Sequence, residues 1–153
     1  MDTKKFNLSD PIQFLALGFG SGLAPKAPGT FGTLAAIPLL LLCTALTPLH
    51  YALLVGVMMA VGVYFCGYAA KAAGVHDHPA IVWDEIVGLF ITMFMIPLTW
   101  QSIVVGFILF RVFDIFKPWP ISWLDKHCHG GFGIMIDDVV AGLAALVCMH
   151  IIF

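Results

Sequence analysis

The sequence predicts an all-α integral membrane protein, a helical bundle of about four to five transmembrane or half-membrane helices in one domain over residues 1–153. Of these 153 residues, 61% are hydrophobic and only 10% are charged, whereas a soluble domain carries roughly 25% charged residues. No Asp, Glu, Lys or Arg occurs between Ala27 and Ala70. A soluble core of this size cannot hide so much apolar surface, so lipid is the expected solvent for much of it.

The first part of the chain contains an apolar run and a Gly-rich loop. The run of residues 12–19 has the length of a signal-peptide core, but Asp10 and Pro11 precede it, so we interpret it as a retained segment. The loop of residues 18–33 places five glycines and two prolines around Lys26. It lacks the residue order of a phosphate-binding P-loop. Both a turn-rich linker and an anion cradle at Lys26 fit its composition.

Five apolar segments follow, and prolines separate several of them. A proline favours the first turn of a helix and disfavours the helical conformation of the residue before it, so Pro48, Pro79 and Pro97 mark breaks. About twenty apolar residues cross a hydrocarbon core of about 30 Å, and the second segment is long enough to do so. The predicted helices span residues 33–46, 51–73, 79–96, 100–116 and 134–153.

The segment 86–113 either crosses the membrane once or folds as a helical hairpin that turns at residues 97–101. A single crossing separates the charges at its two ends, whereas a hairpin brings them together. We favour the hairpin, because charges buried in a membrane protein need partners. It also places all seven Lys and Arg residues on one face, which the positive-inside rule makes cytoplasmic.

Other residue types indicate packing or membrane anchoring. The four cysteines are scattered and form no Cys-x-x-Cys pair, so free thiols are expected. Tryptophans are enriched at the membrane–water interface, and we predict this position for Trp83, Trp100, Trp119 and Trp123. The sequence contains no cysteine-phosphatase loop, no Asp-x-Asp-x-Thr or Gly-x-Ser-x-Gly motif, and no CDP-alcohol phosphotransferase array, which excludes those chemistries.

Charged side chains recur at the cytoplasmic ends of three predicted helices. The pair 84–85 is expected one to two turns inside the third helix. The pair 137–138 is expected in the first turn of the fifth helix. Such a set of carboxylates suits Mg²⁺, which polarises a phosphoryl oxygen and activates water. Basic side chains would neutralise the phosphate, so we predict metal-assisted phosphoryl transfer or hydrolysis. The acids are Asp84, Glu85, Asp114, Asp137 and Asp138, and the bases are Lys26, Arg111 and Lys117.

Other interpretations of the same residues stay open. Acids at helix starts complement the helix dipole, and Arg111 with Asp114 can be a simple ion pair. The His-Asp-His of residues 76–78 and the His-Cys-His of residues 127–129 suggest a transition-metal site. A small cation transporter or channel subunit would use the acids as an ion path. A structural membrane subunit would not need them.

Four short motifs, in order along the chain, carry a family resemblance. They are Pro28 with Gly29-Thr30-Phe31-Gly32-Thr33, Asp84-Glu85 with Gly88, Arg111-Val112-Phe113-Asp114 with Lys117-Pro118, and Gly133-Ile134-Met135-Ile136-Asp137-Asp138 with Ala141-Gly142. Together they resemble bacterial phosphatidylglycerophosphatase A, and the resemblance runs from about residue 14 to the end.

The resemblance implies a Mg²⁺-dependent lipid phosphatase that converts phosphatidylglycerophosphate to phosphatidylglycerol and phosphate. It implies a multi-pass protein of the bacterial inner membrane whose active site faces the cytoplasm. Its partners would be the phospholipid substrate and membrane lipids, with no role for nucleic acid. The sequence specifies neither the oligomeric state nor the acyl-chain preference.

Specific roles for the site residues are our own assignment within that resemblance. Asp114 is either a further metal ligand or the general base. Thr30 is expected to donate a hydrogen bond to the substrate phosphate. We assign Asp84, Glu85, Asp137 and Asp138 to the metal, and Lys26, Arg111 and Lys117 to the phosphate.

Overall fold

The computed structural model describes residues 6–7, 9–74 and 80–153, and no β-strand occurs among them. This confirms the predicted all-α class. The helices in the described part are α1 (Pro11–Ala16), α2 (Pro28–Leu42), α3 (Pro48–Ala73), α4 (Trp83–Thr92), α5 (Trp100–Phe116), α6 (Ile121–His127) and α7 (Gly130–Ile152), with a 3₁₀ turn at Ser21–Leu23.

Two of these helices, α3 and α7, are long and apolar enough to cross a membrane. The apolar helix α2 is shorter, with 15 residues. Helix α4 has 10 residues, so it is only about 15 Å long at 1.5 Å per residue. That length is about half the thickness of the hydrocarbon core of a bilayer.

Helix α2 begins at Pro28, five residues before the predicted start, and ends at Leu42 rather than at residue 46. Ala27 adopts a left-handed backbone conformation with φ of 48° directly before it. The fixed φ of Pro28 suits a first helical position. Much of the Gly-rich segment is thus helical, and the predicted loop ends at residue 27.

Two predicted positions of the acids within their helices were wrong. Helix α4 starts at Trp83, so Asp84 and Glu85 lie in its first turn. Helix α7 starts at Gly130, so Asp137 and Asp138 lie two turns inside it and not in its first turn. The dipole of α7 therefore does not explain its two acids, since this effect falls off within the first turn.

Helices α4 and α5 form the predicted hairpin. At its open end, Arg111 Nη1 lies 4.0 Å from Glu85 Oε1. At the turn, the Thr99 and Ser102 side chains each accept a hydrogen bond from the other's backbone N–H, at 2.9 and 3.1 Å. This reciprocal cap fixes the start of α5. Helix α6, which follows α5, was not predicted.

Glycines set the close contacts between α7 and its neighbours. A Cβ placed on Gly131 would lie 1.9 Å from the carbonyl oxygen of Val63 in α3. A Cβ on Gly142 would lie 2.7 Å from the carbonyl oxygen of Gly88 in α4. Small residues allow helix backbones to approach closely in membrane proteins. These two contacts position α7 against both α3 and α4.

Substituting Gly131 by alanine should therefore lower the melting temperature of the detergent-solubilised protein. The added methyl group must push α3 and α7 apart, and overpacking of this kind costs about 1–3 kcal/mol. Gly56→Ala is the matched control, because a Cβ at Gly56 meets no atom within 4 Å and alanine favours the helix. Equal melting temperatures for the two variants would contradict the close α3–α7 contact.

The far end of the hairpin is fixed by two side chains from neighbouring helices. The Tyr51 hydroxyl of α3 donates a hydrogen bond of 2.5 Å to the carbonyl oxygen of Phe90. The His150 ring of α7 donates one of 3.0 Å to the carbonyl oxygen of Phe94. The Phe90 carbonyl belongs to the last turn of α4, where carbonyl groups lack partners within the helix itself, and the Phe94 carbonyl lies two residues after the helix.

Trp83 corrects the predicted set of interface anchors. It is buried, with 8% of its surface exposed, and its indole N–H donates a hydrogen bond of 3.1 Å to the carbonyl oxygen of Met58. Its ring packs against Gly62, where a Cβ would lie 2.8 Å away. Trp100, Trp119 and Trp123 are exposed, as an interfacial position requires. The predicted free cysteines are confirmed at all four positions.

Candidate active site

Three carboxylates from two helices meet at one end of the bundle. Asp84 and Glu85 come from the first turn of α4, and Asp138 comes from α7. One oxygen of each lies within 4.8 Å of the others. Asp84 and Asp138 are buried, with 7% and 2% of their surfaces exposed. We call these three residues the acid cluster.

The helix crossing at Gly88 explains why the cluster forms. A Cβ on Gly88 would lie 3.2 Å from the carbonyl oxygen of Asp138 and 2.3 Å from the Phe110 ring. Gly88 lies one turn after Asp84 on α4, and i, i+4 positions share a helix face. The same close approach of α4 and α7 therefore brings the two carboxylates together.

Several oxygens of the acid cluster lack a hydrogen-bond partner. Asp84 Oδ1, Glu85 Oε2 and Asp138 Oδ2 are buried and accept no hydrogen bond from any described residue. Buried carboxylates without partners are unfavourable unless a cation or protons compensate them. Mg²⁺ prefers hard oxygen ligands and usually keeps several bound water molecules. The cluster thus fits the predicted type of metal ion.

A basic group borders the acid cluster. Arg111 forms an ion pair with Asp114, three residues further along α5, in addition to its contact with Glu85. Lys117 Nζ lies 3.9 Å from Asp114 Oδ1. Burial opposes the charged form of Lys117, but Asp114 and nearby acids outweigh it and raise the pKa of the ammonium above its ordinary value. The ammonium group of Lys117 is therefore charged at neutral pH.

The first turn of α2 closes this side of the site. A Cβ on Gly29 would lie 3.0 and 3.1 Å from the two terminal guanidinium nitrogens of Arg111, and 3.1 Å from Glu85 Oε1. Thr30 follows in the same turn and is half-buried. A helix N-terminus carries N–H groups and a partial positive charge that suit an anion. Gly29 thus lies against both Arg111 and Glu85. In the sequence it stands out only as part of a motif.

Two other predicted site residues lie apart from the acid cluster. Asp137 is buried beside Asp138 on α7 but does not belong to the group of three within 4.8 Å, because consecutive helix positions point about 100° apart. Lys26 is exposed two residues before α2 and forms no ion pair with a described residue. Six of the nine predicted side chains come together between the first turn of α4, the end of α5 and the third turn of α7, with Thr30 in the adjacent first turn of α2. The six are Asp84, Glu85, Arg111, Asp114, Lys117 and Asp138.

The histidines give no sign of a transition-metal site in the part of the chain that the structure describes. The ring of His127 stacks on Trp123 with centroids 4.4 Å apart, and its Nδ1 lies 2.7 Å from the Trp123 carbonyl oxygen. His127, Cys128 and His129 belong to no metal-capable group among the described residues. The His-Asp-His of residues 76–78 lies outside the described residues.

Comparison with known proteins supports the predicted family. The family model for phosphatidylglycerophosphatase A matches residues 14–153. A phosphatidylglycerophosphatase A of Escherichia coli (strain K12) is 49% identical over 149 residues, which cover 97% of this chain and 87% of that protein. A phosphatidylglycerophosphatase A of Haemophilus influenzae is 46% identical over 151 residues, covering 97% and 93% of the two chains.

A more distant relative is named for another lipid. A putative phosphatidylinositol-3-phosphatase of Bacteroides thetaiotaomicron is 32% identical over 144 residues, covering 90% of each chain. No solved structure matches. Both the family model and the bacterial relatives span almost the whole sequence, and all four motifs lie within the matched residues. The chain belongs to the phosphatidylglycerophosphatase A family.

Proposed function

We propose that this protein is a Mg²⁺-dependent phosphatase that hydrolyses phosphatidylglycerophosphate to phosphatidylglycerol and inorganic phosphate. The observation that carries the proposal is the acid cluster, whose buried oxygens lack partners among the described residues, beside two cations and a helix N-terminus. Relatives named phosphatidylglycerophosphatase A, 46% and 49% identical to this chain, supply the substrate.

Asp84, Glu85 and Asp138 would hold the metal ion. When bound, Mg²⁺ would neutralise phosphoryl oxygens and lower the pKa of a water molecule. Asp137 is the fourth acid of the predicted set, and its position next to Asp138 leaves it close enough to act through bound water.

Arg111 and Lys117 would bind the nonbridging phosphate oxygens, with the Gly29 N–H in the first turn of α2 and the Thr30 hydroxyl as further donors. Lys26 would add positive charge at the entrance. During hydrolysis, water adds its hydroxyl group to phosphorus while the bond from phosphorus to the glycerol oxygen breaks. The proton released by water ends on that glycerol oxygen, which leaves as a hydroxyl group of phosphatidylglycerol.

Asp114 fits a positioning role better than that of a base or a ligand. Its carboxylate already pairs with Arg111 and lies 3.9 Å from the ammonium of Lys117. A carboxylate that contacts two cations holds both of their side chains in position. We therefore assign Asp114 to the orientation of the two phosphate-binding cations.

The structure favours this function over an ion path. An ion path through the hairpin requires acids opposed to each other across it at mid-membrane. Across the hairpin, Glu85 instead faces Arg111, which carries the opposite charge. An acid cluster next to cations suits a bound phosphate group.

We further propose that the bundle spans the bacterial inner membrane several times, with the site facing the cytoplasm. The described basic residues lie at the same end of the bundle as the acid cluster, and the positive-inside rule makes this end cytoplasmic. Four of these basic residues lie at helix ends or between helices: Lys26 before α2, Lys71 at the end of α3, Lys117 after α5 and Lys126 in α6.

Phosphate release tests the proposed function directly. Detergent-solubilised protein is incubated with phosphatidylglycerophosphate, first with Mg²⁺ and then with excess chelator. We expect release that requires the metal ion. Release that persists in chelator would support the phosphatase and refute the metal site, and no release from protein shown to be folded would refute the enzyme.

A further inference from the structure

An apolar groove lies between α3, α4 and α7, apart from the charged site. Its volume is about 290 Å³. Its floor consists of Val55, Ile91 and Val139, which are buried. Its rim includes Gly56 and Leu143, which are exposed. Every lining side chain is a hydrocarbon or a thioether, so the groove offers nothing to a polar ligand.

The groove lies further along α4 and α7 than the acid cluster. Val139 directly follows Asp138 on α7, and Ile91 lies on α4 two turns after the acids of that helix. From Val139 to Leu146, the groove extends over seven residues of α7, or about 10 Å at 1.5 Å per residue. It runs away from the charged end of the bundle, in the direction that the tails of a lipid bound there by its headgroup must take.

We propose that this groove binds a fatty acyl chain of the phospholipid substrate. The inference rests on the proposed function, because it is a phosphatidyl headgroup at the acid cluster that places acyl chains beside α7. In phosphatidylglycerophosphate, two glycerol units and a phosphodiester separate the terminal phosphate from the chains. That spacing carries the chains past Val139 toward Leu143 and Leu146. The groove would then orient the lipid while the charged site holds its phosphate.

Gly56 makes the groove testable. A Cβ at this position meets no atom within 4 Å, so a larger side chain enters open space and reduces the volume of the groove. Glycine disfavours the helical conformation, so its replacement within α3 should not weaken the helix. Gly56→Phe should therefore fold, and it should exclude an acyl chain. Ala52→Leu, one turn earlier on the same wall, is a second variant with the same intended effect.

The experiment measures KM and kcat for phosphate release from dipalmitoyl and dihexanoyl phosphatidylglycerophosphate in mixed micelles. For Gly56→Phe we expect KM for the dipalmitoyl lipid to rise about tenfold, as when roughly two methylene groups lose their apolar contact. The dihexanoyl lipid, with much shorter chains, should show little change. Val57→Phe is the matched control, because Val57 is exposed on α3 but does not line the groove.

Each alternative outcome has a definite meaning. A loss of activity that is equal for both chain lengths would assign Gly56 a structural role and overturn the acyl-chain site. Unchanged kinetics with both lipids in both groove variants would overturn it as well. Failure of the proposed function would look different, because the wild-type protein would then hydrolyse neither lipid.

Discussion

Asp138→Asn is expected to lower the rate of phosphate release from phosphatidylglycerophosphate by about a hundredfold or more. Removal of one charge-stabilising group from an active site typically has an effect of this size. Asp138 is 2% exposed, and it contributes one of three carboxylate oxygens that lie within 4.8 Å of one another. Asparagine keeps the shape of the side chain but removes the charge that would hold Mg²⁺. The effect should appear mainly in kcat and in the Mg²⁺ concentration required.

The same variant should not be destabilised when Mg²⁺ is absent. Three carboxylates in one buried cluster repel each other, so removal of one charge relieves repulsion. We expect Asp138→Asn to melt in chelator at the same temperature as the wild type or above it. Added Mg²⁺ should then stabilise the wild type by mass action and the variant much less.

Asp125→Asn is the matched control, because Asp125 is an exposed acid of α6 outside the cluster. It should keep wild-type activity and the full Mg²⁺ response. An Asp138→Asn protein that retains wild-type turnover would remove Asp138 from the metal site. Asp137→Asn tests the fourth acid, for which the geometry predicts a smaller loss than for Asp138.

Arg111→Lys should lower kcat/KM for phosphatidylglycerophosphate by about tenfold to a hundredfold, as expected when a charge-assisted, bidentate contact is lost. The guanidinium pairs with Asp114 and lies 4.0 Å from Glu85. It also packs against Gly29, where a Cβ would lie 3.0 Å from Nη1. A lysine keeps the charge but cannot present a planar fork to several partners, so charge alone should not restore activity.

Lys126→Arg is the matched control, because it exchanges the same two cationic groups at a residue that is exposed on α6 and should be dispensable. The melting temperature of Arg111→Lys should stay near that of the wild type, which would exclude structural damage. An increase in KM would then report weaker phosphate binding. Full activity of Arg111→Lys would show that the planar, bidentate contact of the guanidinium group is not needed.

Much of this arrangement could be predicted because apolar length and charge placement determine it. The fourth predicted helix, residues 100–116, coincides with α5, and the second differs from α3 only at its start. The hairpin followed from the need of buried charges for partners, and the contact between Glu85 and Arg111 supplies that partner. The family motifs also lie where the helices meet.

The errors came from residues whose role depends on tertiary contact. Gly130, Gly131 and Gly133 are typical of a loop, but they start α7 because a glycine at 131 permits close contact with Val63 of α3. Trp83 has the sequence context of an interface anchor, and only its packing on Gly62 reveals that it is buried. Likewise, adjacent acids look equivalent in sequence, and only the rotation of α7 distinguishes Asp138 from Asp137.

The half-length of α4 has a consequence for the order in which the protein is assembled. In the proposed membrane arrangement, a helix about 15 Å long ends inside the bilayer, where each carbonyl group without a partner is costly. Tyr51 donates to the carbonyl oxygen of Phe90 at the end of α4, and His150 donates to that of Phe94, two residues after the helix. His150 lies on α7, which the ribosome makes after α4. Because α7 carries both His150 and Asp138, we expect its insertion to complete the hydrogen bonds at the far end of the hairpin and the acid cluster together.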